Sequence, residues 1–326
     1  MATSTSEAVT IDDVRAAATR IAGEAVRTPL LPQSAWDLPE GTDLYLKAEN
    51  LQRTGAFKFR GAYNTLATMV EAGETGPVVT SSSGNHGQAV AAAGRILGIA
   101  VTVVMPEDAV AVKVEAVRGF GARIEFAGTT STERSDRADA IGRDTGATVI
   151  GSFDDARIIA GQGTCGLELM EQLPDVEMIV VPVGGGGLIS GVATAAKAMR
   201  PDVTIVGVEP AGASDGYQSL SSGRLVTAAT IETIADGLRT SHLGHLNFAI
   251  MSQLVDRIVL VSDDEIRSAM RALALNAKLA VEPSGAVAVA AILNGRISVE
   301  GKQVVAVISG GNVDPAMFSN IIGGSQ

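Results

Sequence analysis

The sequence contains a single cysteine, few aromatic residues and a deficit of positive charge. Cys165 has no partner for an internal disulfide, and one thiol cannot build a thiolate metal cluster, so we expect a reducing compartment, the cytoplasm. The formal net charge of -11 argues against a nucleic-acid partner, because phosphate binding normally requires clustered Lys and Arg. Aromatic residues make up only 3% of the chain, which predicts a core of aliphatic side chains.

Segments typical of export or of membrane insertion are also missing. Residues 1–10 are small and polar, without the basic start and apolar stretch of a secretory signal. The longest apolar stretch, residues 178–196, contains Pro182 and four consecutive glycines, which favours a buried strand and turn over a membrane span. We therefore expect no membrane partner.

The sequence does show a regular alternation of strand-length apolar runs with helical stretches. This alternation is typical of βαβ units wound into a parallel sheet, and the 37 glycines suit its many tight turns. The predicted strands cover residues 44–47, 77–80, 101–105, 123–126, 178–183, 204–208, 257–261 and 304–308. The 326 residues favour two domains, and since no Pro/Ser-rich linker divides them, we predict that the chain crosses between them near Thr54 and residue 150.

Lys58 follows the first predicted strand and lies between Phe57 and Phe59 at the start of a predicted helix. Desolvation and the neighbouring charge of Arg60 would both disfavour the ammonium form, leaving the free amine that Schiff-base chemistry with an aldehyde requires. The alternative is a lysine whose stem covers apolar surface while its charged end stays in water.

Three polar or glycine-rich turns follow other predicted strands, where ligands collect in open α/β sheets. Residues 81–87, SSSGNHG, offer amides and hydroxyls to a carboxylate at a helix start, although they also suit an ordinary N-cap. The amides of the four glycines at 184–187 can cradle a phosphate. Residues 309–312, SGGN, form the third turn.

The segment that begins at Glu209 allows two interpretations. Glu209 ends a strand at the distance expected of a ribose-binding acid, so a nicotinamide-dependent oxidoreductase is an alternative, although Ile189 or Ser190 breaks the G-x-G-x-x-G spacing. Glu209 and Asp215 also offer the hard oxygen ligands that Mg²⁺, Mn²⁺ or Ca²⁺ prefer, unless they are simply solvated acids.

Taken in order along the chain, these segments resemble the fold type II pyridoxal phosphate enzymes, specifically the threonine and serine dehydratases and serine racemases. The motifs that carry the resemblance are GAFKFRGA at 55–62, SSGNHGQA at 82–89, AGQGT at 160–164, GGGG at 184–187, TIADG at 233–237 and SGGN at 309–312. They span nearly the whole chain and are far more specific jointly than singly.

The resemblance implies two open, mostly parallel twisted sheets flanked by helices, as in the β subunit of tryptophan synthase. Residues 1–53 with 150–326 would form a large domain that binds pyridoxal phosphate, and residues 54–149 a small domain that binds substrate. No regulatory domain is expected after the catalytic one, and the family is usually a homodimer or homotetramer.

The resemblance also assigns roles to individual residues. Lys58 would carry the cofactor covalently, Asn85 would bond its ring hydroxyl, Ser309 would face its ring nitrogen, and Gly184, Gly185, Gly186 and Gly187 would hold its phosphate. The substrate would meet Ser82, Ser83, Asn85, His86 and, through its side chain, Thr240. Glu209, Ala213 through its carbonyl, and Asp215 match the positions of a divalent cation, Mg²⁺ or Mn²⁺, in racemase-like members.

The implied reaction is elimination of the β-hydroxyl group of L-threonine or L-serine, giving a 2-keto acid and ammonia, with Lys58 as the base. Serine racemisation, in which Ser83 returns the proton from the opposite face, is the first alternative. Deamination of 3-hydroxyaspartate is the second, because Arg134 or Arg239 could recognise a second carboxylate. Residues 151–156 depart from a pattern in which histidine precedes and proline follows, which leaves the substrate open.

Overall fold

The computed structural model describes residues 9–82, 84–109 and 111–324. Its strands are β1 Leu30–Gln33, β2 Asp43–Ala48, β3 Val78–Ser81, β4 Val101–Met105, β5 Arg123–Phe126, β6 Thr148–Val149, β7 Met178–Pro182, β8 Thr204–Pro210, β9 Arg257–Val261 and β10 Gln303–Ile308. Its α-helices are α1 Ile11–Ile21, α2 Lys58–Glu71, α3 Asn85–Leu97, α4 Ala111–Gly119, α5 Ser131–Thr145, α6 Ala156–Gln172, α7 Gly187–Met199, α8 Asp215–Ser222, α9 His245–Leu254, α10 Asp263–Ala272, α11 Pro283–Leu293 and α12 Pro315–Gly323.

The strands form two sheets, which confirms the predicted fold class. One sheet has the order β1-β2-β10-β7-β8-β9, and the other has the order β5-β4-β3-β6. Neighbouring strands are parallel in both sheets except for β1, which pairs antiparallel with β2 at the edge of the larger one. The division into domains at residues 54 and 150 stays a prediction.

The cores are aliphatic, as the shortage of aromatic residues predicts. The larger sheet has one cluster of buried Val, Ile, Leu and Ala side chains on each face, and a third cluster packs α2 and α3 against the smaller sheet. Central strands such as β7 are buried along their whole length, which is why they read as continuous apolar runs. In the described part of the chain, no helix has the length and apolar character needed to cross a bilayer.

Local capping explains several helix starts. Ser262 Oγ accepts a hydrogen bond from the Glu265 amide, and the Glu265 carboxylate accepts one from the Ser262 amide, so the predicted capping box at the start of α10 is present. By contrast, the residues that precede α3 and α7 are Gly84 and Gly186, which provide no side-chain cap. Their first amides therefore remain available to a ligand.

Candidate active site

A cavity of about 540 Å³ is lined by the turns that follow β3, β7 and β10. β7 and β10 are neighbours in the larger sheet, so the turns that follow them meet at one edge of it, and the turn that follows β3 comes from the smaller sheet. The structure brings together these predicted residues: Lys58, Ser82, Asn85, His86, Gly184, Gly185, Gly186, Gly187, Thr240 and Ser309. Ser83 lies outside the described residues.

Lys58 is the first residue of α2, and its Nζ donates to the Ser152 carbonyl at 2.8 Å. Of the two flanking rings, that of Phe57 lies near the amine, with its centroid 5.2 Å from Nζ, whereas Phe59 is buried against Tyr63. Burial lowers the pKa of Lys58 from 10.5 to about 8. A substantial fraction of the amine is therefore neutral near physiological pH.

The expected contribution of Arg60 to this pKa was wrong. The Arg60 guanidinium binds Glu49 through Nε and Nη2 at 2.8 Å each and Glu168 through Nη1 at 2.7 Å, so its charge is neutralised away from Lys58. Lys47 also donates to Glu168, at 2.7 Å. Although burial opposes it, the Arg60 charge holds the pKa of Glu49 below its usual value. This buried network fixes the first turn of α2, which positions Lys58.

The lowered pKa of Lys58 predicts how covalent cofactor loading depends on pH. The neutral amine is the reactive form, so the rate constant for loading pyridoxal phosphate onto the apoprotein should rise about tenfold per pH unit below pH 8 and level off above it. Stopped-flow absorption of the bound cofactor measures this rate. A rate that keeps rising to pH 10 would indicate a solvent-exposed lysine instead.

The glycine loop has no room for side chains at two of its positions. Gly186 has φ +94°, in the left-handed region, and a Cβ there would lie 2.8 Å from the Asn247 Cβ. A Cβ on Gly185 would lie 2.4 Å from the Phe153 ring. Side chains are thus excluded at both positions. Since α7 begins without a side-chain cap, its first amides can bind an anion such as a phosphate group.

The turn after β3 places neutral polar groups on the opposite wall. Ser81 belongs to the strand, Ser82 Oγ accepts from the Gly84 amide at 3.2 Å, and α3 begins at Asn85. Burial, followed by the charge of Lys58, lowers the pKa of His86 to about 3, so this imidazole is neutral. A substrate carboxylate here would be held by the helix start and by Ser82.

Ser309 and Thr240 offer hydroxyl groups to the cavity. Ser309 Oγ donates to the Ser284 carbonyl at 3.4 Å. Thr240 has a buried Oγ1 that makes no hydrogen bond within the described residues. Both groups are uncharged, so they can orient a bound molecule without fixing its charge.

Glu209 and Asp215 lie beside each other, outside the residues that line the cavity. Glu209 accepts from the Gly216 and Tyr217 amides at 3.0 and 2.7 Å, whereas neither carboxyl oxygen of Asp215 has a partner among the described residues. Burial, followed by the Asp215 charge, raises the pKa of Glu209 to about 8, and burial raises that of Asp215 to about 6. Two adjacent buried carboxyl groups fit a divalent cation.

The set of possible ligands here is small. In the described ranges no three His, Cys, Asp or Glu side chains are grouped as a metal site. A cation between Glu209 and Asp215 would therefore need carbonyl oxygens, and the buried Ala213 is the residue predicted to supply one.

Sequence reasoning missed Glu282. This residue precedes α11, lines the cavity and accepts from Asn85 Nδ2 at 2.6 Å. Burial, followed by the charge of Asp236, raises its pKa to about 8. Its only sequence signal, an acid before a helix that begins with proline, is shared by many ordinary helix starts.

Residues 21–310 match the model of the family described as "Pyridoxal-phosphate dependent enzyme". The chain belongs to this family. It is 44% identical over 314 residues to an L-threonine ammonia-lyase of Thermotoga maritima, covering 96% of this chain and 78% of the relative. It is 41% identical over 312 residues to an L-threo-3-hydroxyaspartate ammonia-lyase of a Pseudomonas species, covering 96% and 98%.

A solved structure agrees with this membership. Maize serine racemase superposes with a TM-score of 0.91 at 41% identity, covering 95% of each chain. The chain is thus a pyridoxal-phosphate-dependent enzyme of fold type II, as its motifs indicated. This membership favours pyridoxal phosphate over the nicotinamide cofactor of the alternative from another reaction class.

Proposed function

We propose that this enzyme eliminates the β-hydroxyl group of a small hydroxy amino acid, releasing a 2-keto acid and ammonia. The observation that carries the proposal is a half-buried lysine with a lowered pKa in a cavity that also contains the amides of the glycine loop and the start of α3. Relatives named for ammonia-lyase activity, similar over nearly the whole chain, support the reaction class.

The cavity provides a partner for each part of pyridoxal phosphate. Lys58 would hold its aldehyde carbon, the four glycines its phosphate, Asn85 its ring hydroxyl, and Ser309 its ring nitrogen. When bound, the cofactor supplies an electron sink for negative charge at the substrate α-carbon. Because Ser309 is neutral, it does not keep the ring nitrogen protonated as a carboxylate would, and this disfavours transamination.

The remaining steps belong to the protein. The amides at the start of α3, with Ser82, bind the substrate carboxylate and orient the α-carbon. The free Lys58 amine would take the substrate α-proton and pass a proton to the β-hydroxyl group, which leaves as water; a water molecule then hydrolyses the released enamine to the 2-keto acid and ammonia. Because His86 is neutral, it does not repel the positive charge that Lys58 acquires when it takes the proton. The base and the carboxylate site line the same cavity, which is the requirement for elimination.

The test is to incubate the cofactor-loaded enzyme separately with L-threonine, L-serine and the 3-hydroxyaspartate isomers and to measure 2-keto acid release. Release from one of them establishes an ammonia-lyase and names its substrate. Chiral analysis of unreacted serine is the parallel measurement. Inversion without keto acid release would replace the proposal by serine racemisation.

Arg134 favours 3-hydroxyaspartate as a second candidate substrate. This half-buried residue of α5 lines the cavity, and its Nη1 bonds only the Thr129 carbonyl, at 3.2 Å, among the described residues. Arg239 also lines the cavity, but its guanidinium donates twice to the Thr233 carbonyl. Arg134 is therefore the better-placed cation for a second substrate carboxylate.

Arg134→Gln should lower kcat/KM for L-threo-3-hydroxyaspartate about 10- to 100-fold, the loss expected for a charge-assisted hydrogen bond, and leave that for L-threonine unchanged. The matched control is Arg137→Gln on the same helix, because Arg137 pairs with Glu125 at 3.5 Å and does not line the cavity. Equal losses for both substrates would assign Arg134 a structural role.

We also propose a divalent cation, Mg²⁺ or Mn²⁺, at Glu209, Ala213 and Asp215. Millimolar Mg²⁺ should raise the melting temperature of the enzyme, since a ligand at 100 times its Kd stabilises the folded state by about 2.7 kcal/mol. Asp215→Asn should abolish this rise. Without a cation, Asp215→Asn should be at least as stable as the wild type, because it removes one of two adjacent buried carboxylates.

Asp202→Asn is the control for the cation experiment. Asp202 is 76% exposed in its side chain and pairs with Arg200 on the surface. Its substitution should leave the Mg²⁺ effect intact. If Mg²⁺ stabilises the Asp215→Asn variant as much as the wild type, the cation binds elsewhere.

A further inference from the structure

Asn312, the last residue of the SGGN turn, is joined to the cofactor side of the cavity through Asn85. Its Nδ2 donates to Asn85 Oδ1 at 2.8 Å and to the Thr54 carbonyl at 2.7 Å. Asn85 Nδ2 in turn donates to Glu282 at 2.6 Å. The result is one hydrogen-bonded chain, Thr54 to Asn312 to Asn85 to Glu282.

The direction of this chain is fixed at the Thr54 end. A backbone carbonyl only accepts hydrogen bonds, so Asn312 must present its NH2 group to Thr54. The second hydrogen of that group is donated to Asn85, which must accept it through Oδ1. Asn85 Nδ2 then has one hydrogen for Glu282 and one for an acceptor in the cavity, which Asn85 lines.

The packing around the chain leaves its members little room to move. A Cβ on Gly310 would lie 2.2 Å from Glu282 Oε1, and a Cβ on Gly55 would lie 2.4 Å from Asn312 Oδ1. Glu282 itself is 3% exposed. Glycines at these two positions let the backbone approach the side chains at both ends of the chain.

We propose that Asn312 is a positioning residue that orients the Asn85 amide so that its NH2 group faces the cofactor's ring oxygen. The inference rests on the proposed cofactor site and extends it. A correctly turned Asn85 donates a hydrogen bond to the ring oxygen and stabilises its deprotonated form. A reversed amide places carbonyl oxygen against that oxygen and favours its protonated form.

Asn312→Asp tests the proposal, because an aspartate can only accept from Asn85 and so reverses the amide. Glu282 permits the reversal, since burial raises its pKa to about 8 and the protonated carboxyl group can donate to Asn85 Oδ1. We expect the visible-absorption titration of the bound cofactor to move by at least about one pH unit and kcat to fall about 10- to 100-fold.

Asn50→Asp is the matched control. Asn50 Nδ2 donates to the Ala280 carbonyl at 3.2 Å, so Asn50→Asp loses an amide-to-carbonyl hydrogen bond like the one between Asn312 and Thr54. Among the described contacts, Asn50 makes no hydrogen bond to Asn85. Asn50→Asp should keep the wild-type absorption titration and kcat. Asn312→Ser removes the orienting NH2 group without adding charge. It should shift the absorption titration in the same direction as Asn312→Asp does, but by a smaller amount. This variant provides the test if Asn312→Asp does not fold.

The outcomes separate the two proposals. If the wild type takes up pyridoxal phosphate and the Asn312 variants give its unshifted titration, the positioning role is overturned while the proposed function stands. If the wild type develops no visible band with pyridoxal phosphate, the proposed function fails and the inference fails with it.

Discussion

Lys58→Ala should reduce 2-keto acid release by at least about 10³-fold, because the variant loses both the covalent attachment of the cofactor and the group that takes the α-proton. The visible band of the attached cofactor should disappear with it. Thermal stability should change little, since the burial that lowers the pKa of Lys58 to about 8 makes this amine costly to keep in the folded protein.

Lys58→Arg is the companion variant. It keeps a cationic side chain able to donate to the Ser152 carbonyl, as Lys58 does, but arginine cannot form the covalent link. Both variants should still bind pyridoxal phosphate non-covalently through the glycine loop. Retention of more than about a tenth of the activity by either one would remove Lys58 from the chemistry, given the usual contribution of a general base.

Arg60→Met should destabilise the protein by about 3–5 kcal/mol, because it leaves Glu49 buried without its counter-charge. Arg60 and Glu49 are both 0% exposed in their side chains, so water cannot replace the lost partner. Urea unfolding followed by circular dichroism measures the loss. The same variant should weaken cofactor attachment, since the ion pair fixes the turn that begins with Lys58.

The double variant Arg60→Met with Glu49→Met separates the loss of the ion-pair attraction from the cost of leaving Glu49 charged and unpaired in the interior. Removing both partners should recover part of the loss, because it leaves fewer buried charges unpaired. The surface control is Arg267→Met, whose partner Asp264 is 92% exposed in its side chain, and it should cost no more than about 1 kcal/mol. A loss at Arg60 no larger than this would show that the network adds little to stability.

Much of the fold could be predicted because its central strands are buried on both faces. The central strands β7, β8 and β10 were predicted to within one or two residues, and the predicted limits of β4 are those observed. The limits of β5 and β9 were also predicted, although both are partly exposed edge strands. β1 and β6 were missed. β1 contains Pro32, which suits an edge strand, and β6 has two exposed residues, so neither forms an apolar run.

The site was predictable to the extent that each turn follows its own strand. The contacts that orient its residues were not, because their partners are distant in sequence: Asn85 bonds Glu282 from 197 residues away and Asn312 from 227. Arg60 illustrates the same limit. Proximity to Lys58 along the chain suggested an effect on its pKa, whereas Glu49 and Glu168 determine where the guanidinium lies.

The position of β10 has a consequence for how the protein is made. This strand leaves the ribosome after the other nine described strands, yet it lies between β2 and β7 and leads into Ser309. A nascent chain that lacks it has two unpaired strand edges and an incomplete coenzyme pocket. Coenzyme capture must therefore wait until residue 308 has been synthesised, and a chain that stops before residue 303 cannot close its larger sheet.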